Sequence, residues 1–150
     1  MLSSPVRRPG SLVAAGILLS WLAGCSGGAS GGSQDVAESA VKGSPVHGKE
    51  LYTQCQACHK QAENYVGPQH CGLIGRPAGT VPGFAYSDGM QASGITWTPK
   101  TLDEFLTSPI AYVNGTKMGF AGFDSPTDRA DVIAYIVQFN HDPSVCPPKK

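Results

Sequence analysis

Cys55-Gln56-Ala57-Cys58-His59 places two cysteines two residues apart and a histidine directly after the second. This spacing is typical of covalent attachment of a c-type haem. Each thiol can add to one vinyl group of the porphyrin as a thioether, and the histidine can then reach the iron as its proximal ligand. The stretch therefore predicts a domain that is wrapped around a haem.

Two other chemistries fit parts of the same stretch. A thioredoxin-like redox pair needs a βαβ context, which this sequence lacks. A zinc site could use Cys55, Cys58, His70 and Cys71, but the last two are adjacent in the chain and would bind one metal together only with difficulty. Haem attachment is the favoured interpretation.

Length and charge limit the remaining possibilities. The 150 residues carry 11 basic and 11 acidic side chains, and they suffice for one domain. Removal of a processing segment with Arg7 and Arg8 leaves nine basic residues and a formal charge of −2. No basic patch for nucleic acid is present, so a nucleic-acid partner is not expected.

The first 24 residues are predicted to be a signal peptide. Arg7-Arg8 precede a 13-residue apolar run, Ser11 to Ala23, which is too short to span a bilayer as a helix. The run ends in Leu22-Ala23-Gly24-Cys25, which resembles a bacterial lipobox and implies lipidation of Cys25. The alternative is an ordinary signal peptide with an incidental cysteine.

Residues 25–44 are predicted to be a flexible tether, and residues 45–150 the folded domain. Ser26 to Ser33 contains only Ser, Gly and Ala, a composition that cannot bury a core. A Gly/Ser-like chain of this length has an r.m.s. span of about 25 Å. The tether would hold the domain near a membrane and let it reorient.

The domain is predicted to be all-α, with three to five helices around one haem. Ser44-Pro45, Thr98-Pro99 and Ser125-Pro126 each combine an N-cap residue with proline at the first helical position, and Ser108-Pro109 could open a short helix. The Gly/Pro-rich stretch between His59 and Trp97 shows no convincing period. Such a long loop is accounted for if the haem supplies the missing core.

An iron bound by one histidine needs a sixth ligand. Met118 lies in the loop Gly115 to Gly122, and a thioether favours the reduced state of haem iron. The residues alone leave His47, His70 and Met90 as competing ligands.

Residues 48–137 resemble the class I cytochromes c, close to the mitochondrial and alphaproteobacterial type. The resemblance implies a monohaem fold with Met118 as the distal ligand. The matching elements follow the family's order: Cys55-Gln56-Ala57-Cys58-His59, Gly67-Pro68, Gly75-Arg76, Gly83-Phe84-Ala85-Tyr86-Ser87, Gly94-Ile95-Thr96-Trp97, Gly115-Thr116-Lys117-Met118 and Arg129-Ala130-Asp131-Val132-Ile133-Ala134-Tyr135.

The same resemblance implies roles around the haem. The Pro68 carbonyl would accept the ring N–H of the proximal histidine, and Arg76, Tyr86 and Trp97 would hydrogen-bond the propionates. The alternative for Tyr86 and Trp97 is simple aromatic packing, and the alternative for Arg76 is a solvated surface charge. Gly48 and Tyr135 match the crossing of the first and last helices.

The chain departs from the family pattern at four positions. His70 stands where leucine is usual, with Cys71 next to it, Phe105 replaces a tyrosine and Asn114 a proline. Five cysteines are present; after Cys25 and the haem pair, Cys71 and Cys146 remain. In an oxidising compartment we expect them to form a disulfide, rather than two free thiols or an intermolecular bridge.

The lipobox-like segment and the family resemblance together imply an exported, lipid-anchored, monomeric electron carrier that faces the periplasm or the cell exterior and is not an enzyme. It would pass single electrons between redox protein partners, docking around Lys60, Lys117 and Phe120. The alternatives are a haem enzyme or gas or peroxide sensor with a dissociable Met118, and the cytochrome subunit of a larger oxidoreductase.

Overall fold

The computed structural model describes residues 42–148, and this part of the chain is helical. It holds no β-strand, only an isolated antiparallel bridge between Pro77 and Thr96. The all-α prediction is confirmed. The predicted signal peptide, Cys25 and residues 25–41 of the predicted tether lie outside the described residues.

Six helical segments occur in the described part. Tyr52 alone separates the first two segments, and its backbone angles are helical (φ −63°, ψ −16°). These two segments therefore form one nearly continuous helix. The described part then has five helices, in agreement with the predicted three to five. No helix in residues 42–148 is long and apolar enough to cross a membrane. The segments are α1 Pro45–Leu51, α2 Thr53–Gln56, α3 Asp88–Gln91, α4 Pro99–Thr107, α5 Pro109–Tyr112 and α6 Pro126–Asn140.

The three main helices begin at the predicted caps. The side chains of Ser44, Thr98 and Ser125 each accept a hydrogen bond from the backbone N–H three residues later. At Thr98 the arrangement is reciprocal, because Thr101 Oγ1 accepts the Thr98 N–H at 2.8 Å. Local sequence therefore determines where these helices start.

Helix α1 crosses α6 at very short range. A Cβ atom on Gly48 would overlap the backbone carbonyl of Asp131, so only glycine permits this approach. Tyr135, the predicted partner at the crossing, lies one turn farther along α6 and packs edge-on against Tyr52 and Phe139, with ring centroids 5.3 and 5.2 Å away. The haem motif begins in α2, which continues α1 after Tyr52, so the crossing also fixes the start of the motif relative to α6.

A buried arginine joins α4 to α6. Arg129 Nε donates to Asp103 Oδ1 at 2.7 Å, and its Nη1 donates to the Phe123 carbonyl at 2.8 Å. The guanidinium is 8% exposed, and these partners compensate for its desolvation. These Arg129 hydrogen bonds hold the loop before α6 against α4. The core between the same two helices contains Leu102, Phe105, Leu106, Val132, Ile133, Ile136 and Val137.

Candidate haem site

One cavity of about 540 Å³ collects the side chains that the sequence predicts for haem binding. Its volume lies within the range of cofactor sites, about 300–1,000 Å³. Every residue predicted to attach, ligate or hydrogen-bond the haem lines it, and these are Cys55, Cys58, His59, Pro68, Arg76, Tyr86, Trp97 and Met118.

His59 is oriented for ligation of a metal. Its ring is buried, and Nδ1 lies 2.8 Å from the Pro68 carbonyl oxygen. A carbonyl only accepts hydrogen bonds, so Nδ1 carries the proton and Nε2 keeps its lone pair. Burial lowers the pKa of His59, while the Pro68 carbonyl partly opposes this. A neutral imidazole with a free Nε2 lone pair is the form that binds iron.

Gly67 makes room for this imidazole. A Cβ atom at Gly67 would lie 2.6 Å from His59 Nδ1 and 2.8 Å from Nε2, and closer still to the carbon between them. These similar distances to three adjacent ring atoms place it over the ring face. The backbone φ of Gly67 is not in the left-handed region, so the position requires glycine for space alone. The sequence marks Gly67 only as part of the family pattern.

Cys55 and Cys58 are not joined to each other in a disulfide. Burial raises the pKa of the Cys55 thiol to about 11, whereas dithiol redox enzymes need a lowered thiol pKa. This environment argues against the thioredoxin-like alternative.

A zinc site cannot use Cys71 as a ligand, because this cysteine forms a disulfide. Cys71 is bonded to Cys146, with their Cα atoms 5.3 Å apart. Within residues 42–148, no group of three or more His, Cys, Asp or Glu side chains is placed to hold a metal ion.

Two of the four candidate sixth ligands are badly placed. His47 bonds Asp131 Oδ2 at 2.8 Å on the α1–α6 contact, and it does not line the cavity. His70 stacks on His59, with ring centroids 4.2 Å apart; a ring so close lies on the same side of a haem as His59. Met118 and Met90 both line the cavity.

Arg76 has a role that the sequence does not reveal. Its Nη1 and Nη2 donate to the carbonyls of Cys71 and Gln69, each at 3.0 Å. Burial lowers the pKa of Arg76, although the group stays charged at neutral pH. The guanidinium therefore fixes the loop after Pro68, and Arg76 also lines the cavity.

The remaining two predicted propionate donors come from separate segments. Trp97 precedes α4 and packs edge-on against Phe105, with centroids 5.0 Å apart. Tyr86 lies before α3 and packs edge-on against Phe84 at 4.8 Å. Together with two thiols, a neutral imidazole and a thioether, this donor set fits a covalently attached haem.

Known proteins resemble this chain in sequence and in fold. A family model described as cytochrome c matches residues 45–140. Cytochrome c2 of Rhodomicrobium vannielii is 48% identical over 97 residues, covering 63% of this chain and 78% of that protein. Cytochrome c-550 of Nitrobacter winogradskyi is 45% identical over 101 residues, covering 65% of this chain and 93% of that protein. The structure of cytochrome cH from Methylobacterium extorquens superposes with a TM-score of 0.62 at 38% identity, covering 64% of this chain and 99% of that one.

Proposed function

This chain belongs to the cytochrome c family, and from that membership we propose that it is a membrane-tethered electron carrier between respiratory or other periplasmic redox proteins. Membership itself implies one covalently bound haem c and one-electron transfer, not enzymatic turnover of a substrate. The observation that carries the proposal is a single cavity lined by His59, both motif thiols and a methionine thioether.

Cys55 and Cys58 would hold the porphyrin through thioether bonds, and the Nε2 lone pair of His59 would bind the iron. The bound iron supplies a one-electron couple between its ferric and ferrous states. Pro68 fixes the tautomer and plane of His59 through the 2.8 Å hydrogen bond. Met118 would supply the sixth ligand, which would leave no coordination position open to oxygen or peroxide.

The haem propionates would be hydrogen-bonded by Arg76, Tyr86 and Trp97. A buried carboxylate is costly unless it is paired and hydrogen-bonded. All three residues line the cavity, and a guanidinium, a phenol hydroxyl and an indole N–H are charged and neutral donors of the kind that such carboxylates need. Lys117 and Phe120 also line the cavity, and Lys60 directly follows His59 in the chain; these three residues make up the proposed docking surface.

Replacing Met118 by alanine tests the ligand assignment, with Met90→Ala as the matched control, since both methionines line the cavity. We expect Met118→Ala to lose the ferric sulfur-to-iron charge-transfer band. We also expect its midpoint potential to fall by at least about 59 mV, a tenfold change in the electron-transfer equilibrium. Met90→Ala should keep the band. Loss of the band in Met90→Ala instead, or a high-spin resting spectrum in the unaltered protein, would contradict the proposed carrier site.

The proposed anchor rests on the apolar run Ser11 to Ala23 and the cysteine that follows it at position 25. In a bacterial host, we expect the full-length precursor to yield haem protein in the membrane fraction. Cys25→Ser should release that protein into the periplasmic extract with an unchanged absorption spectrum. The Cys146→Ser variant is the control for loss of a cysteine elsewhere and should stay with the membrane. Retention on the membrane of a Cys25→Ser protein whose mass shows that the signal peptide has been removed would rule out a lipid anchor.

A further inference from the structure

We propose that Tyr52 and His70 position the proximal imidazole of His59 and thereby adjust the reduction potential of the bound haem. This inference rests on the proposed ligation by His59. Neither residue is in the motif, and His70 is one of the positions at which the chain departs from the family pattern.

The first step is the contact between the two histidines. The rings of His59 and His70 stack with centroids 4.2 Å apart and planes inclined by 25°. The His59 ring can rotate about its bond to the iron only if the stacked His70 ring moves. A flat ring at this distance therefore restrains the plane of the ligand more strongly than a flexible aliphatic side chain would.

The second step is the hydrogen bond that orients His70. Its Nδ1 lies 2.9 Å from the hydroxyl of Tyr52, a side chain with no exposed surface. A buried hydroxyl proton without an acceptor is strongly unfavourable. The Tyr52 hydroxyl therefore donates, Nδ1 accepts, and the neutral His70 ring carries its proton on Nε2.

Both ends of this hydrogen bond are fixed in the fold. The Tyr52 ring packs edge-on against Tyr135 and Phe139, with centroids 5.3 and 5.4 Å away. The backbone N–H of His70 bonds the Gln61 carbonyl at 3.1 Å, and the next residue is the disulfide-bonded Cys71. Tyr52 thus holds His70 as a rigid support for His59.

The third step is that only one of the two residues reaches the cavity. His70 lines it, whereas Tyr52 does not. An effect of the Tyr52 hydroxyl on the iron must therefore pass through His70. Since a polar ring beside the porphyrin favours the charged ferric state, an apolar replacement should raise the midpoint potential.

The experiment compares haem-loaded His70→Leu, Tyr52→Phe and the double variant. The spread of the haem methyl proton shifts in the ferric protein reports the plane of the proximal imidazole, and an optical redox titration reports the potential. We expect the methyl shifts and the potential to change in His70→Leu. In Tyr52→Phe they should change in the same direction but by a smaller amount. In the double variant, both should equal those of His70→Leu alone, because Tyr52 acts through His70.

Tyr135→Phe is the matched control, since it removes a hydroxyl from the same aromatic cluster, 3.3 Å from Gln61 Nε2. It should leave the methyl shifts and the potential unchanged. His70→Phe keeps a flat ring but no acceptor, and it provides a second variant if the leucine protein does not accumulate. It should keep the methyl pattern more nearly than leucine does while still raising the potential.

Methyl shifts in His70→Leu identical to those of the unaltered protein would overturn the proposal. So would a Tyr52→Phe effect that adds fully to that of His70→Leu. Failure of the underlying ligation is distinguishable, because it would be visible in the unaltered protein as a spectrum without a low-spin histidine–methionine signature.

Discussion

Replacing Cys71 and Cys146 together by serine is expected to lower the free energy of unfolding of the haem-loaded protein by about 4 kcal/mol. The bond joins residues 75 apart in the sequence and so restricts a large loop in the unfolded chain. It also ties the C-terminal segment to the loop that carries His70. Val145 and Cys146 pack against the core, and this tail should become mobile without the bond.

Denaturant unfolding of the ferric proteins, followed by absorbance of the haem, measures the effect. The unfolded chain expands without the crosslink, so the dependence of the free energy on denaturant should steepen. Unaltered protein that is reduced and alkylated at these two sulfurs is the control, because thiol reagents leave thioethers intact. It should unfold at the denaturant concentration of the serine variant. Equal midpoints for crosslinked and serine proteins would show that the bond does not stabilise the fold.

Short-range signals were sufficient for the main helices. A side-chain cap followed by proline acts within four residues, so Ser44, Thr98 and Ser125 can be recognised without any tertiary contact. Helix α3 was missed, because its four residues are too few to show a period. Its position depends on Gly89, where a Cβ atom would overlap the distant Asn114 carbonyl.

The contacts around His59 could not be predicted from short-range sequence patterns, because they join residues that are far apart in the chain. The motif and the family pattern indicate His59 and Pro68, but they do not show that Arg76 also ties the loop carbonyls together. Tyr52 and His70 are 18 residues apart, and only folding brings them into contact. The one available signal was a polar residue at a position that is usually apolar. For the sixth ligand, the structure reduces four candidates to Met90 and Met118, and the sequence pattern around Met118 favours that methionine.

Replacing Gly67 by alanine is expected to disturb the proximal ligand more than any other single methyl group added to this loop. The new methyl would overlap the face of the His59 ring, with Nδ1 only 2.6 Å away. The ring must then rotate or move, which lengthens its hydrogen bond to the Pro68 carbonyl. Overpacking of this kind costs about 1–3 kcal/mol. We expect that loss of stability together with a high-spin fraction in the ferric absorption spectrum.

Gly72→Ala separates this steric effect from ordinary loop strain. Gly72 lies in the same loop, but a Cβ atom there would meet nothing within 4 Å. Its φ of 69° is unfavourable for alanine, at a cost of about 1–2 kcal/mol. The two variants should therefore lose similar stability, while only Gly67→Ala changes the iron spectrum. A normal low-spin spectrum in Gly67→Ala would mean that the backbone at residue 67 can withdraw from the imidazole, so that Pro68 and His70 alone determine its plane.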